Sequence, residues 1–265
     1  MTKQAHKISK NRLRSKAHQR TATARSLKKK SAITLEGQQR LSFSYFLNLS
    51  RDRVISADKM MNRAKGPQWH KKQKDKGIIP KNLRGIDKQA TWCKSNADGW
   101  VYGHGSFCLT SHQAPFLGCF VWMKNSANEA KRLWLEAAPY KGMIDYVAMD
   151  SKADDYDLYR EFSRQRKIKL VTYCREHMNK SEKRRQMIAD MHQPLHQQIY
   201  KERGYRVEPM QGIVKDIFDL NRCWMRGNDN NRWLFAAMGL AVQMHQLIAY
   251  RNKKSTWQIK EQVLG

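Results

Sequence analysis

Between residues 53 and 173 the chain sets short β-type and helix-type runs in one definite order, and that order limits the available folds more than any other feature. Arg53-Val54-Ile55-Ser56 is rich in β-branched residues and reads as a first strand ending at Asp58. Trp100-Val101-Tyr102 and Ser106 to Thr110 read as a second strand or hairpin, and the apolar run Phe116 to Met123 as a third. Ser126 can then cap a helix, with Glu129 reaching back as the other half of a capping box, and that helix stops near Pro139. Met143 to Met149 reads as a buried strand ending at Asp150. Asp154 to Arg166 reads as a helix with Tyr156, Tyr159 and Phe162 along one side, and Ile168 to Tyr173 as a fifth strand. A polar, basic stretch follows from Arg175 to Arg203, and Pro209 suits the first turn of a helix through Ile213, Val214, Ile217 and Leu220.

Three strands, helix, strand, helix, strand and a later helix is the order of a ribonuclease H-like α/β fold. Its mixed sheet is antiparallel over the first three strands, parallel where helices cross over, and flanked by helices. In such a sheet the residues past the ends of the first and fourth strands sit side by side. Asp58 and Asp150 then come within reach of each other, and a late helix can add Glu208. Three hard oxygen ligands suit Mg2+ or Mn2+, and two such ions can activate a water or 3′-hydroxyl and stabilise the leaving oxygen at phosphorus. An Asp at a strand end is more often a turn or cap residue, so the joint placement carries the inference rather than any single acid. Asp87 and Asp98 flank the second strand and compete with Asp58 as first ligand, whereas Asp154, Asp155 and Asp157 read as caps of the helix after Asp150. His192 and His196 stand four apart, but Pro194 between them disfavours the helix that would align them as ligands.

Charge supplies the partner class. With 51 Lys+Arg against 23 Asp+Glu the 265-residue chain carries a formal +28, which favours a polyanion through phosphate contacts and counterion release. The first thirty residues hold eleven Lys/Arg and no acid, with Lys28-Lys29-Lys30 the densest run. Like charges at that density repel, so this segment reads as an arm without fixed structure until it meets DNA. Leu41, Tyr45, Phe46 and Leu49 recur at helical steps between about Ile33 and Ser50. The division expected is a basic arm and leading helix over 1–50, contacting DNA, and a catalytic domain over 51–265. Lys180 to Arg185 offers a second basic contact. The five cysteines are odd in number and lack a CxxC pair, resembling neither a disulfide framework nor a zinc site. No apolar signal segment opens the sequence, and Gln243, His245 and Gln246 interrupt the stretch Trp233 to Tyr250, so a packing helix is expected there and no membrane span. A cytoplasmic, nucleoid-associated location is the expectation.

At these residues the chain resembles the DDE transposases of bacterial insertion sequences, in the broad group related to the IS4 and IS5 types. The resemblance covers most of the chain from about Arg53 to Tyr250. Val54-Ile55-Ser56-Ala57-Asp58, followed by Lys65-Gly66 and Trp69-His70-Lys71, resembles the family's first-Asp strand and the stretch after it. Gly99-Trp100-Val101-Tyr102-Gly103-His104 resembles its second-strand motif, and Met149-Asp150-Ser151-Lys152-Ala153-Asp154 the segment that carries the second catalytic Asp. Tyr200, Arg203, Glu208 and Lys215 approximate the tyrosine, arginine, glutamate and lysine signature of the third. The interval from Arg203 to Glu208 is one residue longer than the common pattern, which makes Arg206 a competing equivalent.

The resemblance implies that Asp58, Asp150 and Glu208 coordinate the metal ions and catalyse. It also implies that Arg203 or Arg206 and Lys215 contact transposon-end DNA, with Tyr200 of the same signature a further DNA contact; charge, and not the resemblance, adds Lys28, Lys29 and Lys30 as DNA contacts. A homodimer in a synaptic complex, joining double-stranded DNA ends to a target, follows as an expectation. Two other readings share most of these features: a catalytically inactive, transposase-derived DNA-binding protein, and a general ribonuclease H-like nuclease without sequence-specific ends.

Overall fold

In the computed structural model the described residues are 3–81, 83–95, 98–175, 177 and 181–260, with side chains described from residue 22 onward. The first element, α1, is a single helix over Lys3–Ser50. Its first glycine is Gly37 and it holds no proline, while Ala, Lys, Arg, Gln and Leu supply strong helix propensity. The segment expected to lack fixed structure is therefore helical and continues without a break into the leading helix. Residues 22–31 are exposed. From Ala32 onward a buried stripe of Glu36, Gln39, Phe43, Phe46 and Leu47 faces the body of the protein at three- and four-residue steps. Arg51, with φ of 55°, turns the chain out of the helix.

Six strands form one mixed sheet: β1 (Val54–Arg63), β2 (Thr91–Ser95), β3 (Gly99–Ser111), β4 (Leu117–Lys124), β5 (Tyr146–Ala148) and β6 (Lys169–Val171). The long β3 pairs antiparallel with β1 on one side. On its other side it pairs with β2 over its first third and with β4 over the rest. β5 and β6 continue the sheet beyond β1 in parallel. Residues 100–102 and 106–110, read as a strand or hairpin, are thus one strand, and β2 was not foreseen. Asp58 does not end β1, which runs on to Arg63 with Asp58 opposite Cys108.

Alternation along the strands divides the core into two layers. Ile55, Ala57, Phe107, Leu109 and Val121 pack with Phe43, Phe46 and Leu47 of α1, and with Leu133 and Ala137 of α3 (Glu129–Ala137). Met60, Cys108 and Phe120 face the other way, onto Val207, Met210 and Val214 of a long helix, α6 (Pro194–Phe218), and Leu234, Phe235 and Met238 of α7 (Asn228–Arg251). A short α2 (Lys71–Asp75) lies between β1 and β2, α4 (Tyr156–Glu161) precedes β6, and α5 (Glu182–Met191) precedes α6.

The outer edge of β4 is covered by amides from α1 and α7. Gln39 accepts from the Phe120 N–H at 2.7 Å, and Gln246 accepts from the Leu117 N–H at 2.8 Å. Gln243 donates to the carbonyls of Leu117 and Gly118. An ion pair between Glu36 and Arg232, with contacts of 2.6 and 2.7 Å, also ties α1 to α7.

The middle of the chain departs from the sequence reading in three places. Asn128, not Ser126, caps α3, accepting from the Lys131 N–H at 3.1 Å. The basic stretch after Arg175 is largely α5 and the first half of α6. Pro194 occupies the first turn of α6, while Pro209 lies deep inside it, exposed, where it removes one backbone donor. Among the described residues no helix is long and apolar enough to cross a membrane, and no disulfide joins the cysteines.

Candidate metal centre

The last paired couple of the parallel strands β1 and β5 is Ser56 and Ala148. Beyond it β5 stops while β1 continues, so the sheet opens a notch beside β1. Asp58 stands on β1 at this notch. Asp150 follows β5 in extended conformation and caps a short turn by accepting from the Lys152 N–H at 3.1 Å. Thr172 fixes the Asp150 carbonyl from the end of β6 at 2.8 Å. Glu129, the first residue of α3, enters the same notch, where the positive end of a helix favours a carboxylate. One carboxylate oxygen each from Asp58, Glu129 and Asp150 lie within 4.8 Å of one another.

Glu129 is buried, with its side chain 3% exposed. Its Oε1 accepts from two ammonium groups, Lys59 at 2.6 Å and Lys152 at 2.8 Å, while its Oε2 has no hydrogen-bond partner among the described residues. Burial pushes the Asp58 carboxyl up to about 6; Arg203 opposes the shift, and Asp150 and Glu129 add to it. Burial works against the charge of Lys152, yet its bond to Glu129 and the charges of Glu129, Asp150 and Asp58 raise its pKa.

Helix α6 lies over this notch. Gln211 donates to Oδ2 of Asp58 at 3.4 Å, and the guanidinium of Arg203 lies 5.7 Å from the Tyr200 ring centroid. Nε and Nη1 of Arg203 are buried and meet no acceptor among the described residues. Tyr200 and Arg203 thus come to the carboxylates, as does Gln211, which was not foreseen. Arg206 lies towards Glu202, 3.8 Å away, and His112, whose ring is pushed down to about 4 by burial and by that guanidinium.

Glu208 is exposed on α6 and lines a shallow cavity of about 410 Å³ with Lys201, Gly204, Tyr205 and Pro209, outside the three-carboxylate group. Lys215, two turns further along, lines a separate cavity of about 390 Å³ with Arg63, Asp98 and Arg222. Lys28 donates to Asn230 at 2.9 Å, and Lys29 and Lys30 are exposed beside it on α1.

The competing acids take other roles. Asp87 accepts from His104 Nε2 at 2.8 Å and from the Gly227 N–H at 2.8 Å. Burial raises its carboxyl, but these bonds outweigh that and hold it below the ordinary range. Trp122 donates to the other His104 nitrogen, which makes Nε2 the proton-bearing one. Asp98 is exposed in the turn between β2 and β3. Asp155 caps α4, accepting from the N–H groups of Asp157 and Leu158. Asp154 is bound by Arg184 at 2.6 Å, which withdraws that arginine from the basic stretch 180–185; Lys180 itself lies outside the described residues. His196 is buried against the Asp190 carbonyl at 2.6 Å, away from the carboxylates.

In the sequence Glu129 carries only the signature of a residue at a helix start. The signal that could have exposed it is Lys59: the alternation Ile55, Ala57, Lys59 puts a lysine on a core-facing position, and a buried ammonium needs a buried carboxylate.

No family model matches the chain, and no curated protein matches it. A solved structure of a pre-cleavage Mos1 transpososome aligns at a TM-score of 0.25 and 7% sequence identity, over 78% of this chain and 61% of that one. A likeness at this level carries no weight for fold or activity.

Proposed function

We propose that this protein is a metal-dependent enzyme that cleaves DNA strands and transfers them, a DDE-type transposase built on a ribonuclease H-like sheet. The observation that carries the reading is the convergence of Asp58, Glu129 and Asp150 at one notch, with a buried oxygen of Glu129 that meets no partner among the described residues, in a protein of net charge +28. The strand order β4-β3-β1-β5-β6, with β2 added beside β4, agrees with that fold.

The donor set fits a divalent cation. Carboxylate oxygens are the ligands Mg2+ and Mn2+ prefer, and three of them within 4.8 Å of one another are near enough to share an ion with bonds of about 2.1 Å. A bound ion, or two, would lower the pKa of an attacking water or 3′-hydroxyl and neutralise charge on the phosphate. Asp58, Glu129 and Asp150 would hold it. Arg203 has donors to spare beside them and suits a DNA phosphate, which a guanidinium binds in two-point fashion. Tyr200 braces that guanidinium, and Gln211 orients the Asp58 carboxylate. Lys215, Arg206 and the lysines 28–30 of α1 would hold DNA further out. Glu208, the third acid implied by the resemblance, is exposed one turn from Gln211 on α6, outside the three-carboxylate group, and is proposed as a ligand only in the complex with DNA. Action as a homodimer on paired DNA ends belongs to the same proposal.

The test is Mg2+- or Mn2+-dependent cleavage and joining of DNA that carries the element's ends, wild type against Asp150→Asn. Loss of both products in the variant with DNA binding intact supports the reading. DNA binding by both proteins without cleavage by either favours a DNA-binding relative that has lost catalysis, a reading to which the two ammonium groups on Glu129 lend support. Cleavage without joining, on any sequence, favours a general nuclease.

A further inference from the structure

Lys59 and Lys152 bind the same oxygen of Glu129, yet they are not equivalent. The Lys59 side chain is 2% exposed and also donates to the Asn125 carbonyl at 3.1 Å, so its ammonium is a fixed part of the core. The Lys152 side chain is 48% exposed. It reaches Glu129 from the rim of the notch, and its four-carbon stem has room to swing into solvent.

The charges around the notch need both ammonium groups only in the absence of a metal ion. Three carboxylates within 4.8 Å repel one another in a site that is partly shut off from water. The two ammonium groups and the nearby Arg203 guanidinium offset that repulsion, and a divalent cation added to all three would overfill it. Of the two ammonium groups on Glu129, Lys152 is the one with a path out. The orphaned Oε2 of Glu129, on a side chain more than nine-tenths buried, shows that the lysines do not use up the site's capacity to bind positive charge.

We infer that Lys152 is a removable stand-in for the divalent cation: its ammonium occupies the mouth of the Asp58–Glu129–Asp150 notch in the metal-free protein and swings out when the ion enters. The inference rests on the proposed metal site. Lys152 is on this account a positioning residue, which holds Glu129 ready and competes with the ion for it. The lysine keeps the metal-free carboxylates together at the expense of metal affinity. Lys59 stays in place in both states and holds Glu129 at the notch.

The test is Mn2+ binding to the full chain without DNA, followed by electron paramagnetic resonance of the free ion, together with thermal melting with and without Mn2+. Wild type, Lys152→Met, Lys152→Arg and Asp150→Asn are compared. Lys152→Met removes the competing charge and is expected to bind Mn2+ roughly tenfold tighter or more, the scale of one nearby charge at the edge of a protein. It is also expected to melt lower than wild type without Mn2+ and to gain more from its addition, whereas Lys152→Arg, which keeps the charge, stays close to wild type. Equal or weaker Mn2+ binding by Lys152→Met, with wild-type binding that depends on Asp150, overturns the inference and leaves the metal site standing. Absence of Mn2+ binding in all four proteins removes the metal site and the inference with it.

Discussion

Asp58 and Asp150 each stand two residues beyond Ser56 and Ala148, the last pair that β1 and β5 form. Parallel pairing carries the two chains side by side to that point, and the end of β5 frees the space into which both carboxylates turn. Glu129 reaches the same space from α3. The pair is set by the register of the sheet and the third acid by helix packing, so substitutions at the two kinds of position should separate in their effects.

Glu129→Gln is expected to weaken Mn2+ binding on the order of 100-fold, because one charged ligand is lost. It should also destabilise the fold by about 3 kcal/mol, since Lys59 is left buried without its carboxylate. Glu208→Gln is expected to leave both Mn2+ binding in the DNA-free protein and stability unchanged. Mn2+ titration and urea unfolding of the two variants measure this. Loss of DNA cleavage by Glu208→Gln with Mn2+ binding intact would assign α6 the third acid of the DNA complex.

Asp58 gives the metal-free protein a pH dependence whose sign is fixed by the direction of its shift. Burial raises its carboxyl to about 6, above its unfolded value, so the folded state holds the proton more firmly. Its contribution to stability is fully present below about pH 4 and is lost as pH rises through about 6. Metal binding runs the other way, because the ion displaces that proton, so Mn2+ affinity should fall as pH drops below about 6. Melting and Mn2+ titrations between pH 4.5 and 7.5 on wild type and Asp58→Asn would show both slopes, and the variant should lack this component of each.

Helix α1 should divide into two functional lengths. Removal of residues 1–31 takes away eleven Lys/Arg, of which those from Arg25 onward are exposed, and spares the buried stripe that begins at Ala32. Such a protein is expected to keep its melting temperature and to bind DNA more weakly, with a shallower salt dependence. Removal of residues 1–50 also deletes Phe43, Phe46 and Leu47, each fully or almost fully buried. At about 1.5–3 kcal/mol per side chain their loss approaches the whole stability of an ordinary domain, and the shortened chain should not fold. Circular dichroism and DNA-binding isotherms at two salt concentrations distinguish the two lengths.

Two glycines predict opposite signs for the same substitution. A Cβ on Gly118 would stand 2.6 Å from the Phe43 ring, where α1 crosses β4. Gly118→Ala should therefore cost about 1–3 kcal/mol. Gly212, inside α6, would place a Cβ in open space, and Gly212→Ala should stabilise by about 0.5–1 kcal/mol. Denaturant unfolding of the two variants reads both signs.

Strand order was legible because β-branched and apolar runs mark strands whatever their neighbours do. The position of Asp58 relative to the end of its strand was not, since β1 continues through Lys59 and Asn62, polar residues that are buried only because Glu129 and Ser106 await them. The helical state of residues 3–30 was obscured by charge: repulsion among lysines argues against compactness, but it does not forbid a single helix. Pro209 misled for a related reason. A proline is usual in a first turn, yet on the exposed side of a long helix the lost hydrogen bond can be left to water. Glu129 was hidden by a local motif that explained it well enough, and only its long-range partner Lys59 gives it away.

The glutamines that bind the outer edge of β4 also bear on how copies of this protein can associate. Backbone groups of Leu117, Gly118 and Phe120 that would otherwise be open to another strand are taken by Gln39, Gln243 and Gln246. Two other edges are poor templates: β6 is three residues long and carries the exposed Lys169, and β2 is five residues long with Lys94 exposed next to its last residue. Among the described residues these three edges offer a second chain little to extend, which favours pairing of two copies on DNA through helices and loops, contacts that can be joined and released without unzipping a sheet.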